Sequence, residues 1–436
     1  MIYTVEDVYE YVEQEDVKFI RLAFCDVTGK QKNISIQLDE LERAFEYGIA
    51  FDASAVPGFG SEIHSDLFLQ PDTGTLCVLP WRPDHGRVVR MFCNILHPDG
   101  TPFASDTRRV LQNAVDAAAE RGISFSFGSE MEFYLFQRDE NGEATRVPYD
   151  RAGYMDIAPE DKGENIRREI CFAIEEMGLH PEHSHHESGH GQNEVCFRYT
   201  TALKSADNLN TFKSTVKAIA ARNGLFASFM PKPLANQPGS GLHVNISLLR
   251  DGKNLFDGDF APDSEAGHFV AGILAHAREL TAFCNPVPNS YARLGANEAP
   301  LYVSWSRQNR SQLVRLPSAH GEFCRVELRG PDPAGNPYLV IGLILAAGLD
   351  GIERKLPLPE AVNRNLFHPS AAAGLESLPR TLREAITVAG QSEFISAELP
   401  VALQNKYFEY QTQLCHDAES APDTEAWERA HSFLII

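Results

Sequence analysis

Three short stretches of this chain alternate ionisable and apolar side chains with a period of two. They are Ser129-Glu130-Met131-Glu132-Phe133-Tyr134, Leu242-His243-Val244-Asn245-Ile246-Ser247 and Arg325-Val326-Glu327-Leu328-Arg329. Successive side chains of a strand point to opposite faces, so Glu130 and Glu132 share one face, as do Arg325, Glu327 and Arg329. Carboxylates on a buried face repel each other and lose hydration, and such a face is unstable without neutralising cations. The pattern predicts a metal-holding polar cavity built on a sheet, with the apolar faces packed into a core. Taken singly, each piece has a plainer explanation. A Glu-x-Glu strand can be a solvated face, arginines around Glu327 can form a weak surface ladder, and His243 can be structural. Recurrence of the signature in separate segments argues against all three explanations together.

A fourth segment, His183-Ser184-His185-His186-Glu187-Ser188-Gly189-His190-Gly191-Gln192-Asn193-Glu194, adds Glu187 and Glu194. It lacks the HExxH register that places two histidines on one helix face, so a zinc hydrolase is not supported, and its glycines predict a loop. Five carboxylates and His243 make an oxygen-rich donor set suited to Mg²⁺ or Mn²⁺. Arg293, Arg310 and Arg315 supply guanidinium groups that bind carboxylate and phosphate bidentately. Metals facing arginines describe phosphoryl transfer. No GxxxxGK[ST] motif is present, so the phosphates must be held by metals, arginines and backbone.

With 436 residues the chain is too long for one ordinary core and divides into two or three domains. Its formal net charge of −21 argues against a nucleic-acid partner. The eight cysteines form no CxxC pair, and no leader or long apolar run is visible, which points to a reduced, cytoplasmic location without a membrane.

Thr4 and Asp7 form a capping-box pattern for a helix to Glu13. Lys18–Val27 reads as a strand leading through the turn Asp26–Lys30 into Asn33–Ile36, Leu38–Tyr47 as a helix, Pro71–Pro83 as turn-rich, and Arg87–Ile95 as a strand. The breaker cluster His97–Pro102 marks an expected boundary between domains 1–102 and 103–436. Beyond it, helical spacing covers Asp106–Arg121, Gly163–Met177, Ala206–Asn223, Ser264–Phe283 and Leu339–Lys355, and the residues after Ala371 read as helices with loops.

GSEMEFYLF, HHESGHGQNEV, FMPKPLANQPGSGLHVNISL, NRSQLVRLP and RVELRGPDPAGNPYLV, in this order, closely resemble the glutamine synthetase family. FDASAVPGFGSEIHSDLFLQPD resembles that family's β-grasp signature. The resemblance implies an α+β fold, with a β-grasp N-terminal domain and a catalytic domain of curved antiparallel sheet with helices. It also implies a dodecamer of two stacked hexamers with sites shared between subunits. ATP would phosphorylate the side-chain carboxylate of L-glutamate, and ammonia would displace the phosphate to give glutamine.

By that resemblance Glu132, Glu187 and Glu194 would hold one metal and Glu130, His243 and Glu327 a second, while Glu132 and Glu187 would also face substrate. Arg310 and Arg315 would stabilise the transferring phosphoryl group, with Arg310 also near glutamate and Arg315 near the nucleotide. Arg293 and Arg329, with the backbone at Gly239, would hold glutamate. Glu182, the backbone of Phe197, Arg198 and Tyr199, and the side chains of Asn245 and Ser247 would line the nucleotide pocket. Asp52 of a neighbouring subunit would take a proton from ammonium, which Tyr154 and Glu187 would help bind. Glu298 would close the site against water.

This chain departs from the family pattern at several points: Ala55 replaces a serine, Pro238 an asparagine, Asn245 a second histidine, and Phe367 the tyrosine adenylylated in one branch. The loop around Glu298 is one residue short. These changes bear on the amino acceptor and affinity more than on the chemistry. The competing expectations are a γ-glutamyl ligase for a polyamine or ethanolamine, and a catalytically silent relative. Retention of Asp52, Tyr154, Glu187 and Glu298 favours ammonia, and the intact ligand set opposes silence.

Overall fold

The computed structural model describes residues 3–60, 65–82, 85–258 and 260–436. Ser61–His64 of the β-grasp signature and Pro83 of the turn-rich stretch lie outside the described residues. The chain opens with α1 (Val5–Gln14), and the expected capping box is present. The Asp7 amide donates to Thr4 Oγ1 at 3.1 Å, and the Thr4 amide donates to the Asp7 carboxylate at 2.7 Å. Then come β1 (Val17–Cys25), β2 (Gln31–Gln37), α2 (Leu41–Glu46), β3 (Ile49–Asp52), β4 (Asp66–Pro71), β5 (Cys77–Val78) and β6 (Arg87–Leu96). They form one sheet in the order β2-β1-β6-β4-β3, with β1 and β6 parallel and β5 on β6. Val8 and Val12 of α1 and Ile20 and Leu22 of β1 are buried in its core.

The turn between β1 and β2 is held from within and from outside. Asp26 Oδ1 accepts from the amides of Thr28 and Lys30 at 3.0 Å each. Gly29 adopts φ +85°, and a Cβ there would come within 2.7 Å of Asn336 Cα, so only glycine fits. Asn336 Nδ2 in turn donates to the Val27 carbonyl at 3.2 Å.

The second unit continues with α3 (Thr107–Glu120), β7 (Ile123–Arg138), β8 (Ala144–Pro148), α4 (Glu164–Glu176), β9 (Pro181–His186), β10 (Gln192–Thr200), α5 (Ala202–Arg222) and β11 (Leu225–Ser228). It proceeds through β12 (Leu242–Arg250), β13 (Lys253–Asn254), α6 (Glu265–Ala275), α7 (Ala277–Cys284), α8 (Ser290–Arg293), β14 (Trp305–Arg307), β15 (Val314–Leu316), β16 (Val326–Leu328) and α9 (Pro337–Glu353). The sheet runs β14-β15-β16-β12-β7-β10-β9 and is antiparallel except between β14 and β15. The long strand β7 lies between β12 and β10 at its centre. α9 is apolar on nearly every side and buried along almost its whole length, as expected of a helix enclosed by others.

Two expectations change. The single helix expected over Ser264–Phe283 is two, α6 and α7, broken at His276. Its ring is held by Glu279 and Asp350 at 2.8 Å each and stacks on Phe394 at 3.9 Å, so tertiary partners set the break. The histidine segment expected to be a loop is a strand through His186, because β9 pairs with β10; only the turn from Glu187 to Gly191 stays irregular.

Candidate active site

Strand register decides which polar side chains meet. Across β7 and β10, Glu132 stands opposite Glu194 and Glu130 opposite Cys196; across β7 and β12, Glu130 stands opposite His243. β16 then brings Glu327 opposite Asn245, and β15 brings Arg315 opposite Glu327. Met131, Phe133, Leu242, Val244, Val326 and Leu328 point to the other face and are buried there. The alternation in sequence is therefore the inside and outside of one sheet.

Two groups of ligand atoms converge. Glu130, His243 and Glu327 lie within 4.8 Å of one another, and so do Glu132, Glu194 and His243. The first group carries its own compensation. His243 Nδ1 lies 3.2 Å from Glu130, and Arg329 and Arg315 both bond Glu327. Burial raises the Glu130 carboxyl, but hydrogen bonds from His243 and Asn245 outweigh it and hold it near about 2. Glu327 is likewise held below the usual carboxylate range, with burial outweighed by Arg329 and His243. The second group is only partly compensated, with the Gly241 amide donating to Glu132 at 2.8 Å. Burial and then the charges of Glu132, Glu130 and Glu187 push Glu194 well up, and burial also raises Glu132. Opposed carboxylates that destabilise each other in this way fit a divalent cation, and the donor set of oxygens with one imidazole suits Mg²⁺ or Mn²⁺. Glu187 shares the pocket wall but is bonded to His185 at 2.8 Å and to the Ser188 amide at 3.1 Å, outside both groups.

Beside the carboxylates lies a pocket lined by Glu132, Glu187, Gly239, Arg293, Glu298 and Arg329. Arg293 is 2 % exposed and donates to the carbonyls of Gly330 at 2.8 Å and Arg329 at 3.2 Å. A Cβ at Gly239 would meet the Pro231 carbonyl at 2.5 Å and Arg293 Cγ at 2.8 Å, so glycine lets the backbone pack against the stem of Arg293. Arg329 Nε is buried without a partner, a donor available to a carboxylate in the pocket. The Pro238 carbonyl accepts from Tyr134 Oη at 2.5 Å, a contact that proline leaves intact.

A separate groove of about 1050 Å³ brings together Glu182, Arg198, Tyr199 and Ser247. Phe197 beside them is core, leaving only its backbone for a ligand. Asn245 differs from expectation. Its amide donates to Glu130 at 3.0 Å and accepts from Arg325 Nε at 3.0 Å, so it braces the carboxylate row rather than lining the groove.

Arg310, Tyr154 and Glu298 lie exposed at the rim. Burial and Glu187 raise the Tyr154 phenol while Arg310 lowers it, which places these charges around it. Asp52 is exposed at the end of β3 and outside the pocket lining of its own chain. Ser54 bonds its carboxylate through Oγ at 2.6 Å and N at 2.9 Å and holds it ionised.

Gln192 had no role in the sequence reading. It is 1 % exposed, lines the pocket, and donates to Glu132 at 3.0 Å and the Gly239 carbonyl at 3.2 Å. Its position two residues before Glu194, hence on the same strand face, was the available signal.

The family model described as Glutamine synthetase, beta-Grasp domain matches residues 16–98, and Glutamine synthetase, catalytic domain matches residues 104–430. A protein named Glutamine synthetase from Clostridium saccharobutylicum is 46% identical over 405 residues, 91% of each chain. Another from Methanosarcina mazei is 46% identical over 407 residues, 91% of this chain and 90% of that one. One from Staphylococcus aureus is 42% identical over 417 residues, 93% of each. A solved GmaS/ADP complex superposes with TM-score 0.87 at 31% identity over 99% of both chains, and apo GmaS does so at 30%. A carboxylate row on β7, β10, β12 and β16, flanked by a pocket and a groove, thus sits in a chain matched along most of its length, and that chain belongs to the glutamine synthetase family.

Proposed function

We infer that this protein is a glutamate–ammonia ligase, joining ammonia to the side-chain carboxylate of L-glutamate at the expense of ATP. The observation that carries this reading is the facing pair Glu132 and Glu194, both raised by burial, beside a two-arginine pocket, with a separate groove nearby. ATP in the groove presents its terminal phosphate to the carboxylate row, and glutamate in the pocket is held by Arg293 and Arg329. The glutamate carboxylate takes the phosphoryl group to give γ-glutamyl phosphate, and ammonia displaces phosphate. Two Mg²⁺ or Mn²⁺ ions, held by Glu132, Glu187 and Glu194 and by Glu130, His243 and Glu327, would supply charge neutralisation for the phosphates.

Arg315 and Arg310 stabilise charge on the transferring group. Asp52 of a neighbouring subunit takes the proton from ammonium, with Tyr154 and Glu187 binding that cation, and Glu298 closes over the acyl phosphate. With that role for Asp52 goes the proposed ring-shaped assembly of two hexamers, in which sites are shared between subunits. We place the domain boundary near residue 102 and the protein in the cytoplasm; no described helix is long and apolar enough to cross a membrane.

The competing reading is a γ-glutamyl ligase for a larger amine, such as a polyamine or ethanolamine. A phosphate-release assay with ATP, glutamate and a panel of amines separates the two. Ammonium is expected to give the highest turnover; a polyamine or ethanolamine far exceeding it overturns the ammonia reading.

A further inference from the structure

Away from the active site, a cavity of about 440 Å³ opens between the β1–β2 turn, α5 and the C-terminal segment. It shares no lining residue with the pocket or the groove. Asp26 is the only described lining residue with a side-chain carboxylate, against the four lysines Lys30, Lys32, Lys213 and Lys217. Lys32 pairs with Asp26 at 3.4 Å. Among the described residues the other three lysines have no carboxylate in ion-pair contact. Lys213 donates to the Pro333 carbonyl and Lys217 to the Ile435 carbonyl at 3.0 Å, which uses one of three donors on each ammonium. A strongly positive lining is exceptional in a chain of net charge −21.

The arrangement carries an electrostatic penalty as it stands. Burial pushes Lys213 and Lys217 down to about 8, with Lys217 repelling Lys213 and Lys30 repelling Lys217. Two further polar groups aim at the same space. Gln411, 2 % exposed, and Gln31 line the cavity, and each has a buried Oε1 without a partner. Val287, Leu414 and Tyr410 give the remaining wall an apolar character suited to an organic body.

We propose that this cavity binds a compact polyanionic metabolite bearing at least two phosphate or carboxylate charges, held by Lys30, Lys213 and Lys217. Lys30 belongs to the turn of the first sheet, whereas Lys213 and Lys217 belong to α5 of the second unit, so the ligand bridges the seam between them. Pro333, which Lys213 grips, lies between Arg329 of the pocket and Asn336, which holds the β1–β2 turn.

Calorimetry on the metal-stripped full chain, with pyrophosphate and citrate as separate probes, tests this. Two variants are compared with the parent: Lys213→Gln/Lys217→Gln, and Val287→Trp, which fills the space while keeping every charge. At least one probe is expected to bind the parent and to bind both variants at least about tenfold more weakly. Binding of pyrophosphate alone identifies phosphate as the recognised group, and of citrate alone carboxylate. Equal affinity in parent and variants, or no binding of either probe, overturns the proposal. If the double variant does not fold, Val287→Trp decides. The readout is binding, so it stands or falls separately from the ligase assay.

Discussion

Arg329 donates to Glu327 at 2.7 Å in an ion pair almost sealed from solvent, with side-chain exposures of 2 % and 0 %. Arg315 bonds the other carboxylate oxygen, so Glu327 stays ionised where burial alone would protonate it. The pair ties the substrate pocket to the carboxylate row, because Arg329 faces both.

Replacing Glu327 with Ala is expected to lower metal-dependent phosphate release by at least about 100-fold, while particle size is retained. Buried Arg329 and partly buried Arg315 lose their partner, which costs about 3–5 kcal/mol of stability. Phosphate-release kinetics with size-exclusion chromatography and denaturant unfolding check this; unchanged activity would refute the metal assignment.

Asp52→Ala should impair use of ammonia by about 100-fold or more while sparing γ-glutamyl phosphate formation. Positional isotope exchange in ATP reads the first step and glutamine production the second. An equal fall in both would refute the deprotonation role.

Glu298→Ala should leave the acyl phosphate open to water. More than one phosphate is then released per glutamine formed, a ratio that coupled assays of both products measure. A ratio of one in the variant would show that Glu298 does not shield the intermediate.

His276 predicts a pH-dependent stability. Burial lowers its affinity for a proton, but hydrogen bonds to Glu279 and Asp350 outweigh this and raise it above the ordinary histidine value; Glu398 also faces it. A raised folded value means that the contribution is full below the unfolded value and is lost as pH rises through the folded one. His276→Gln should therefore lose about 1 kcal/mol or less at pH 6, and a smaller amount at pH 9, by denaturant unfolding. A deficit that grows with pH would contradict the assignment.

Much of the site was legible in the sequence because a strand repeats every two residues, so Glu130, Glu132, His243 and Glu327 betray a common face without any coordinates. Legible for the same local reason were the Thr4–Asp7 cap and the turn at Asp26–Lys30. Gln192 was passed over because an uncharged amide carries no repulsion that demands explanation. The break at His276 was not legible either, because helical spacing continues through it and its cause is Asp350 and Phe394, distant in the chain.

The sequence by itself determined the period-two faces, the donor types and the family pattern, all of which depend on neighbours along the chain. Only the tertiary structure decided which carboxylates are compensated. Arg315 and Arg329 reach Glu327, whereas burial and the charges of Glu132, Glu130 and Glu187 raise Glu194. Tertiary structure also turned Asn245 into a brace for Glu130 and gathered Lys30, Lys213 and Lys217 around one cavity. The physical reason is the same throughout. Coulomb energy and desolvation depend on separation and burial in space, and neither can be read from distance along the chain.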